Sequence, residues 1–449
     1  MRSNRPLLLT LALGVFAGAL DLGVLSPALP AIAREFAVPT SDLAWIFTLY
    51  LLVTVASIAI ASTLADRLGR RAVYMSCIGL FALGSIVAVI APNYGIFLLA
   101  RAIQALGAGG VFPVATAAIG DVVEPQRRGG ALGLVAATWG LAAVIGPAFG
   151  GLVTHFVSWR WIFVLNFPLA AIVLFLAYRY IPRSAPRVRG PLDGFGLALL
   201  CAGLLLLMDG LTTARPPSAI AGLALLAGFV WWERNAEFPI VPLAIFTAPQ
   251  LAKTYLLEVA IGALEGSLFF IPTVIVGAQG LSYAVAGLVA ALGALAFVIV
   301  IPISGRALDR IGSRDVLLIG AILTEIGLGI FAVGFTSLPL TLLAMVVAGC
   351  GFGALLGAPT RYIVTNEIGE ARRATAVGLL SQALIVGQIL GSALAGGVIG
   401  LAKSELLGYR DAYLCFCGIA LAALAIAATL DTRKRERRAQ AAEVRALEF

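Results

Sequence analysis

Five charged residues interrupt long apolar stretches of this sequence, namely Asp21, Arg101, Glu258, Glu265 and Glu325. A charged side chain is costly in an apolar environment, so each of these positions is a candidate for function. Because burial disfavours the charged form of a carboxylate, the acids could take up and release protons. We therefore predict proton coupling at these residues, and a structural hydrogen bond to a neighbouring helix is the alternative for Asp21.

Glu258 and Glu265 are seven residues apart, so they share one face of a helix with their Cα atoms roughly 10 Å apart. Two carboxylates on one face suit a proton site or a site that selects cations. Glu258 lies near the cytoplasmic end of its predicted helix, where water could solvate it, and this favours Glu265 as the functional acid. Glu325 lies in the middle of another apolar stretch and is a second candidate proton site.

The elements that carry these residues are expected to lie in a membrane. Of the 449 residues, 61% are hydrophobic and 12% are charged, and the mean hydropathy is +1.01. Soluble chains are about half apolar and about a quarter charged. Fourteen apolar stretches are long enough to span a bilayer, and they are centred near residues 18, 53, 82, 107, 142, 170, 203, 225, 264, 294, 325, 350, 387 and 420. The predicted fold is an all-α integral membrane protein with fourteen transmembrane helices.

Lys and Arg are distributed unevenly between the predicted loops. With the N-terminus in the cytoplasm, 24 of the 31 basic residues fall on the cytoplasmic side and 5 fall outside, as the positive-inside rule requires. The net charge of +8 therefore reflects membrane topology and argues against nucleic acid as a partner. We predict an inner (plasma) membrane location with both termini in the cytoplasm. The sequence has no P-loop or metal-ligand spacing, so we predict no enzyme activity, no cofactor and no metal.

One ten-residue segment occurs twice. Residues 62–71, STLADRLGRR, align without a gap with residues 305–314, GRALDRIGSR. Each copy follows the second helix of a six-helix block, which predicts two bundles related by a parallel repeat, a known transporter design. We predict a first six-helix bundle over 1–190, an inserted helix pair with a linker over 191–247, a second bundle over 248–430 and a basic cytoplasmic tail over 431–449.

These features resemble those of the major facilitator superfamily, in its fourteen-span drug:proton antiporter type. The loop motif of that family matches Leu64, Asp66, Arg67, Gly69, Arg70 and Arg71, and the second copy matches it at Asp309, Arg310 and Gly312. The span 4 motif matches Arg101, Gln104 and Gly107, with Ala105 in place of a glycine. The span 5 antiporter motif matches Gly146, Pro147, Gly150 and Gly151. The span 1 pattern of the family matches Leu20, Asp21, Ala28, Leu29 and Pro30. The start of span 6 in the family's drug exporters is resembled by Trp159, Arg160, Trp161, Asn166 and Pro168.

The resemblance implies roles for several residues. Spans 1 and 4 line the cavity in this family, so Arg101 is expected to pair with Asp21, and protonation of the acid would free the arginine. The alternative is a structural Arg101 whose charged head reaches the membrane surface. The span 5 motif accompanies export in the family. Candidate cavity residues are Gln104, Phe269, Gln382, Gln388 and Arg361, for which helix packing or a loop position is the alternative.

The arginines of residues 62–71 set topology, whereas Asp66 and Gly69 recur in the second copy as Asp309 and Gly312. We predict that Asp66 caps or pairs with a cytoplasmic helix end of the other bundle. Such a contact exists only when the cytoplasmic side is closed, so it would latch the outward-open state.

The sequence therefore predicts a proton-coupled exporter of amphipathic or hydrophobic compounds that works as a monomer by alternating access. Its partners would be the substrate, protons and membrane lipids. Proton-driven export of a lipid or glycolipid, with a lipoprotein partner, is the main alternative because few polar residues line the inferred cavity. Uptake by symport is disfavoured by the span 5 motif, and a transport-dead membrane sensor is disfavoured by the intramembrane acids.

Overall fold

The computed structural model describes residues 5–183, 193–368 and 370–433, and within these ranges every regular element is a helix. In chain order, the α-helices α1 to α18 are Arg5–Leu25, Leu29–Phe36, Ala44–Leu68, Arg70–Ile90, Tyr94–Val122, Pro125–Phe156, Arg160–Val164, Asn166–Tyr180, Gly194–Thr212, Pro216–Glu233, Pro249–Leu268, Ile271–Gln279, Tyr283–Ile311, Ser313–Gly334, Leu338–Leu355, Pro359–Glu367, Glu370–Leu401 and Glu405–Ala428. The predicted basic tail lies outside the described residues from residue 434 onward.

Thirteen helices or helix pairs of the described chain are long and apolar enough to cross a membrane. They coincide with thirteen of the fourteen spans predicted from the sequence. The remaining prediction, centred near residue 225, corresponds to α10, which has 18 residues. Two prolines stand at the start of α10 and Glu233 stands at its end.

Four of the spans are broken near prolines. A 3-10 turn over Ser26–Ala28, which contains Pro27, separates α1 from α2. The break between α11 and α12 lies just before Pro272, and α16 begins at Pro359. In span 6, the break between α7 and α8 falls at Leu165, three residues before Pro168. Proline lacks a backbone N–H and clashes with the preceding helical turn, which accounts for the breaks. The first two breaks lie in spans 1 and 9, which correspond to each other in the internal repeat.

The internal repeat is also visible in the backbone. Gly69 joins α3 to α4 with φ 91° and ψ 148°, and Gly312 joins α13 to α14 with φ 91° and ψ 168°. A side chain would be strained at this positive φ, which explains why both copies of the segment carry glycine at this position. The helices α6 and α17, which occupy equivalent places in the two halves, are both 32 residues long.

The chain divides into two compact units. The first comprises Met1–Ile240 and Gly280–Ala291, and the second comprises Val241–Gln279 and Leu292–Phe449. In the first unit α1 packs on α6, α5 packs on α3 and α4, and the inserted pair of α9 and α10 contacts α3 through α9. In the second unit α11 packs on α17, and α14 packs on α15 and α18. The domain boundaries predicted from the sequence remain predictions.

Candidate functional site

Asp21 and Arg101 form an ion pair in the interior of the first unit. Asp21 lies in α1 and Arg101 in α5, and Arg101 Nη1 is 2.5 Å from Asp21 Oδ2. The two residues are 2% and 0% exposed, respectively. The pairing expected from the sequence is therefore present. A buried pair of this kind is stable only when further hydrogen bonds satisfy its remaining polar atoms.

Two polar side chains, Gln104 and Asn166, supply such hydrogen bonds, and Ser85 binds both of them. Gln104 Oε1 accepts from Arg101 Nη1 at 2.8 Å, and Gln104 Nε2 donates to Asp21 Oδ1 at 3.4 Å. Asn166 Nδ2, from α8, also donates to Asp21 Oδ1, at 3.5 Å. The hydroxyl group of Ser85, from α4, accepts from Gln104 Nε2 at 2.8 Å and from Asn166 Nδ2 at 3.1 Å. Sequence reasoning identified Gln104, but it gave no role to Asn166 and missed Ser85.

An aromatic ring covers the guanidinium of Arg101. Arg101 Cζ lies 4.1 Å from the centroid of the Tyr50 ring, which is a cation–π distance, and Tyr50 is 2% exposed. We call the six residues Asp21, Tyr50, Ser85, Arg101, Gln104 and Asn166 the Asp21 cluster. With Asp21 ionised the cluster carries no net charge, whereas protonation of Asp21 would leave it with the single positive charge of Arg101.

The two acids of α11 in the second unit have different partners. Glu258 is 6% exposed, is hydrogen-bonded to Thr360 at the start of α16, and interacts electrostatically with the exposed Arg361. Glu265 is half-buried and accepts a hydrogen bond of 2.9 Å from Gln388 Nε2 of α17. For Gln388 the sequence left open a substrate contact or a contact with a neighbouring helix, and the structure places its amide on α11.

The other predicted residues of the second unit are dispersed. Glu325 in α14 is half-buried and interacts electrostatically with Cys417 of α18. Phe269, at the break between α11 and α12, and Gln382 in α17 are also half-buried. Among the residues that the structure describes, no three His, Cys, Asp or Glu side chains are close enough to hold a metal ion.

The segment 62–71 forms an ion-pair network where α3 ends. Arg70 Nη2 lies 2.5 Å from Asp66 Oδ1, and Arg70 Nε lies 3.2 Å from Asp121 Oδ2 at the end of α5. The neighbouring Arg71 stacks on Tyr178 at 4.3 Å. Arg70 is buried between two carboxylates, so it does more than set topology. The expected contact of Asp66 with the other bundle remains a prediction.

The second copy of this segment has a different partner. Arg433, which follows α18, donates to the backbone carbonyl oxygen of Asp309 at 2.5 Å and to that of Arg310. The last carbonyl groups of a helix have no partner within the helix, so Arg433 satisfies the C-terminal end of α13. A Cβ atom at Gly312 would also collide with the Arg433 side chain.

The span 5 motif, residues 146–151, lies inside α6 and faces α1 and the part of α13 that belongs to the first unit. A Cβ atom at Gly150 would collide with the carbonyl group of Val24 in α1. Gly151 lies against the backbone of Gly287 at the start of α13. Small residues at these positions therefore let the helices approach closely, as their spacing predicts.

Comparison with known proteins gives consistent results. The family profile described as Major Facilitator Superfamily matches residues 11–266 and 254–448. The chain is 32% identical over 424 residues to the multidrug resistance protein Stp of Mycobacterium tuberculosis (strain CDC 1551 / Oshkosh), which covers 90% of this chain and 78% of that protein. It is 31% identical over 405 residues to the uncharacterized MFS-type transporter YfiU of Bacillus subtilis (strain 168), which covers 86% of this chain and 78% of that protein. Comparison with the crystal structure of a D-xylose-proton symporter gives a TM-score of 0.74 and a sequence identity of 16%, and the match covers 96% of this chain and 99% of that one. The two proteins therefore share the fold.

Proposed function

This chain belongs to the Major Facilitator Superfamily and is a multi-pass membrane transporter, and we propose that it exports amphipathic or hydrophobic compounds in exchange for protons. The observation that carries the proposal is the Asp21 cluster, in which an acid and an arginine are buried together between apolar helices. Acids inside membrane spans commonly form proton relays in transporters.

Protonation of Asp21 would change the charge balance of the cluster. A neutral Asp21 no longer compensates the charge of Arg101, whose other partners among the described residues are the Gln104 carbonyl oxygen and the Tyr50 ring. An uncompensated buried charge is strongly unfavourable. Proton binding would therefore favour a conformation in which Arg101 gains another partner, and this links the proton to alternating access.

Two features support an amphipathic substrate. Relatives from Mycobacterium tuberculosis bear the names multidrug resistance protein B homolog and multidrug resistance protein Stp. In the second unit, Gln388 donates its amide N–H to Glu265, so the carbonyl oxygen of Gln388 and the second oxygen of Glu265 are available as acceptors. Phe269, four residues after Glu265 at the end of α11, adds a half-buried apolar ring nearby in the sequence. We propose that Glu265 binds the positively charged group of a substrate.

The proposal is tested with purified protein in liposomes across an imposed pH gradient. We expect the wild-type protein to move a fluorescent amphipathic dye while protons move in the opposite direction. Asp21→Asn should lower proton-driven export by about 100-fold or more, because a positioned proton carrier is lost. Asp411→Asn, which removes an exposed ion pair with Arg410, is the matched control and should behave like wild type.

Unaltered coupling in Asp21→Asn would refute the role assigned to Asp21. The same vesicles can carry a labelled phospholipid, which tests the alternative substrate class. Proton-dependent movement of the lipid without movement of the dye would replace the proposed substrate and leave the proton mechanism in place.

A further inference from the structure

Asp21 is too deeply buried to exchange protons directly with bulk water. It is 2% exposed, and its oxygen atoms face N–H groups of Arg101, Gln104 and Asn166. Arginine is not deprotonated in proteins, and the amide groups of Gln and Asn do not titrate. None of these donors can therefore pass a proton to the carboxylate, and a hydroxyl group or a water molecule must do so.

The Ser85 hydroxyl group is fully occupied by other partners. It donates its single hydrogen atom to the Phe81 carbonyl oxygen at 2.9 Å. Its two lone pairs accept the hydrogen bonds from Gln104 and Asn166. A serine hydroxyl group has one donor and two acceptor positions, so the side of the Asp21 cluster formed by α4 and α8 offers no route for a proton.

The side of the Asp21 cluster formed by α3, by contrast, contains polar atoms that could take part in a proton route. Within the described part of the chain, four buried polar atoms lack a hydrogen-bond partner there: Tyr50 Oη, Thr54 Oγ1, Arg101 Nε and Arg101 Nη2. The Tyr50 ring lies on Arg101, and Thr54 follows Tyr50 by one turn on the same helix face. An unsatisfied buried polar group destabilises the protein, and a buried water molecule typically makes about three hydrogen bonds to such groups.

We propose that Tyr50, Thr54 and the two unpaired nitrogen positions of Arg101 bind a short chain of water molecules through which Asp21 exchanges its proton. This inference rests on the proposed proton coupling at Asp21. The N–H groups of Arg101 hold water oxygen atoms, so the hydrogen atoms of these waters point toward the Tyr50 hydroxyl group and the Asp21 carboxylate. In each transfer one O–H bond breaks in the donor and one forms in the acceptor, so a single proton moves and no electrons are transferred. Tyr50 and Thr54 are positioning residues.

Two conservative substitutions test the chain of waters. Tyr50→Phe removes the hydroxyl group and keeps the ring on Arg101, and Thr54→Val removes the second hydroxyl group at constant size. The controls are Tyr74→Phe, whose hydroxyl group donates to the Thr10 carbonyl oxygen at 3.1 Å, and Thr48→Val, whose hydroxyl group donates to the Ala44 carbonyl oxygen at 2.8 Å.

Each variant is measured in liposomes in two modes. One is proton-driven export with simultaneous measurement of proton flux, and the other is exchange of labelled for unlabelled substrate at equal pH, in which no net proton moves. We expect Tyr50→Phe and Thr54→Val to slow proton-driven export by about 10-fold or more while substrate exchange stays within about twofold of wild type. Both controls should match wild type in both modes.

Proton-driven export at the wild-type rate in both variants would overturn the inference, and so would a parallel loss of both modes, which indicates a structural role. A proton flux lost in Asp21→Asn but kept in both hydroxyl variants would retain the proposed function and refute the chain of waters. A wild-type protein without substrate-dependent proton flux would refute the proposed function and, with it, this inference.

Discussion

Removing one charge of the Asp21–Arg101 pair should destabilise the protein more than removing both. The side chains are 1% and 0% exposed, so each single substitution leaves an unpaired charge in the interior, which costs about 3–5 kcal/mol. In Asp21→Asn, Arg101 keeps Gln104 Oε1 at 2.8 Å and the Tyr50 ring, each worth about 1 kcal/mol. We therefore expect a loss of about 1–3 kcal/mol. In Arg101→Gln, the contacts that Asp21 keeps within the described part of the chain are the two long ones of 3.4 and 3.5 Å, so the loss should approach the full cost.

The double variant Asp21→Asn/Arg101→Gln places two amides where the charges were, and these can bond to each other. We expect it to recover part of the loss, with a coupling energy of about 1–3 kcal/mol in the double-mutant cycle. The assay is reversible unfolding of the purified variants in detergent micelles, which is monitored through the loss of the helical circular dichroism signal. Additive losses, with no coupling energy, would show that the two charges do not act as a pair and would refute the reasoning.

Four further substitutions probe other parts of the structure. Gly150→Ala should lower the unfolding temperature in micelles because its Cβ would meet the Val24 carbonyl group, whereas Gly133→Ala, with open space around it, should be neutral or stabilising by up to about 1 kcal/mol. Equal effects of these two would contradict the close packing of α1 on α6. Gly69→Ala should cost about 1–3 kcal/mol in the same assay because φ is 91°; no loss would mean that the loop adopts another backbone conformation. Glu265→Gln should slow export of a cationic dye relative to its neutral analogue, and an unchanged preference would assign cation binding to another residue.

Sequence reasoning located the core of the Asp21 cluster because a charge within an apolar stretch is rare and costly. Asp21, Arg101 and Gln104 carry such a signal, either as charges or through their place in a motif. Ser85 and Tyr50 carry none, because serine and tyrosine occur commonly in apolar helices and only the packing of α3 and α4 on α5 brings them to the ion pair. Helical periodicity states which residues share a face but not which face meets which neighbour.

The contacts of the segment 62–71 were likewise only partly predictable from the sequence. In the sequence, Arg70 counts as one of the positive charges that fix topology. The structure buries it between Asp66 and Asp121, and Asp121 is 51 residues away along the chain. Periodicity therefore could not indicate this contact. Each of the fourteen predicted spans coincides with a helix or helix pair of the described chain, and thirteen of them are long and apolar enough to cross a membrane.

The contact of Arg433 with the end of α13 has a practical consequence for preparing the protein. The chain leading to Arg433 is held at two further points, since Lys253 Nζ donates to the Thr429 carbonyl oxygen at 3.0 Å and Gln250 Oε1 accepts from the Asp431 N–H at 3.2 Å. A recombinant version that stops before Arg433 would leave the carbonyl groups of Asp309 and Arg310 without this partner. Purification tags, fluorescent reporters and rigid fusion partners for electron microscopy should therefore be attached beyond Arg433.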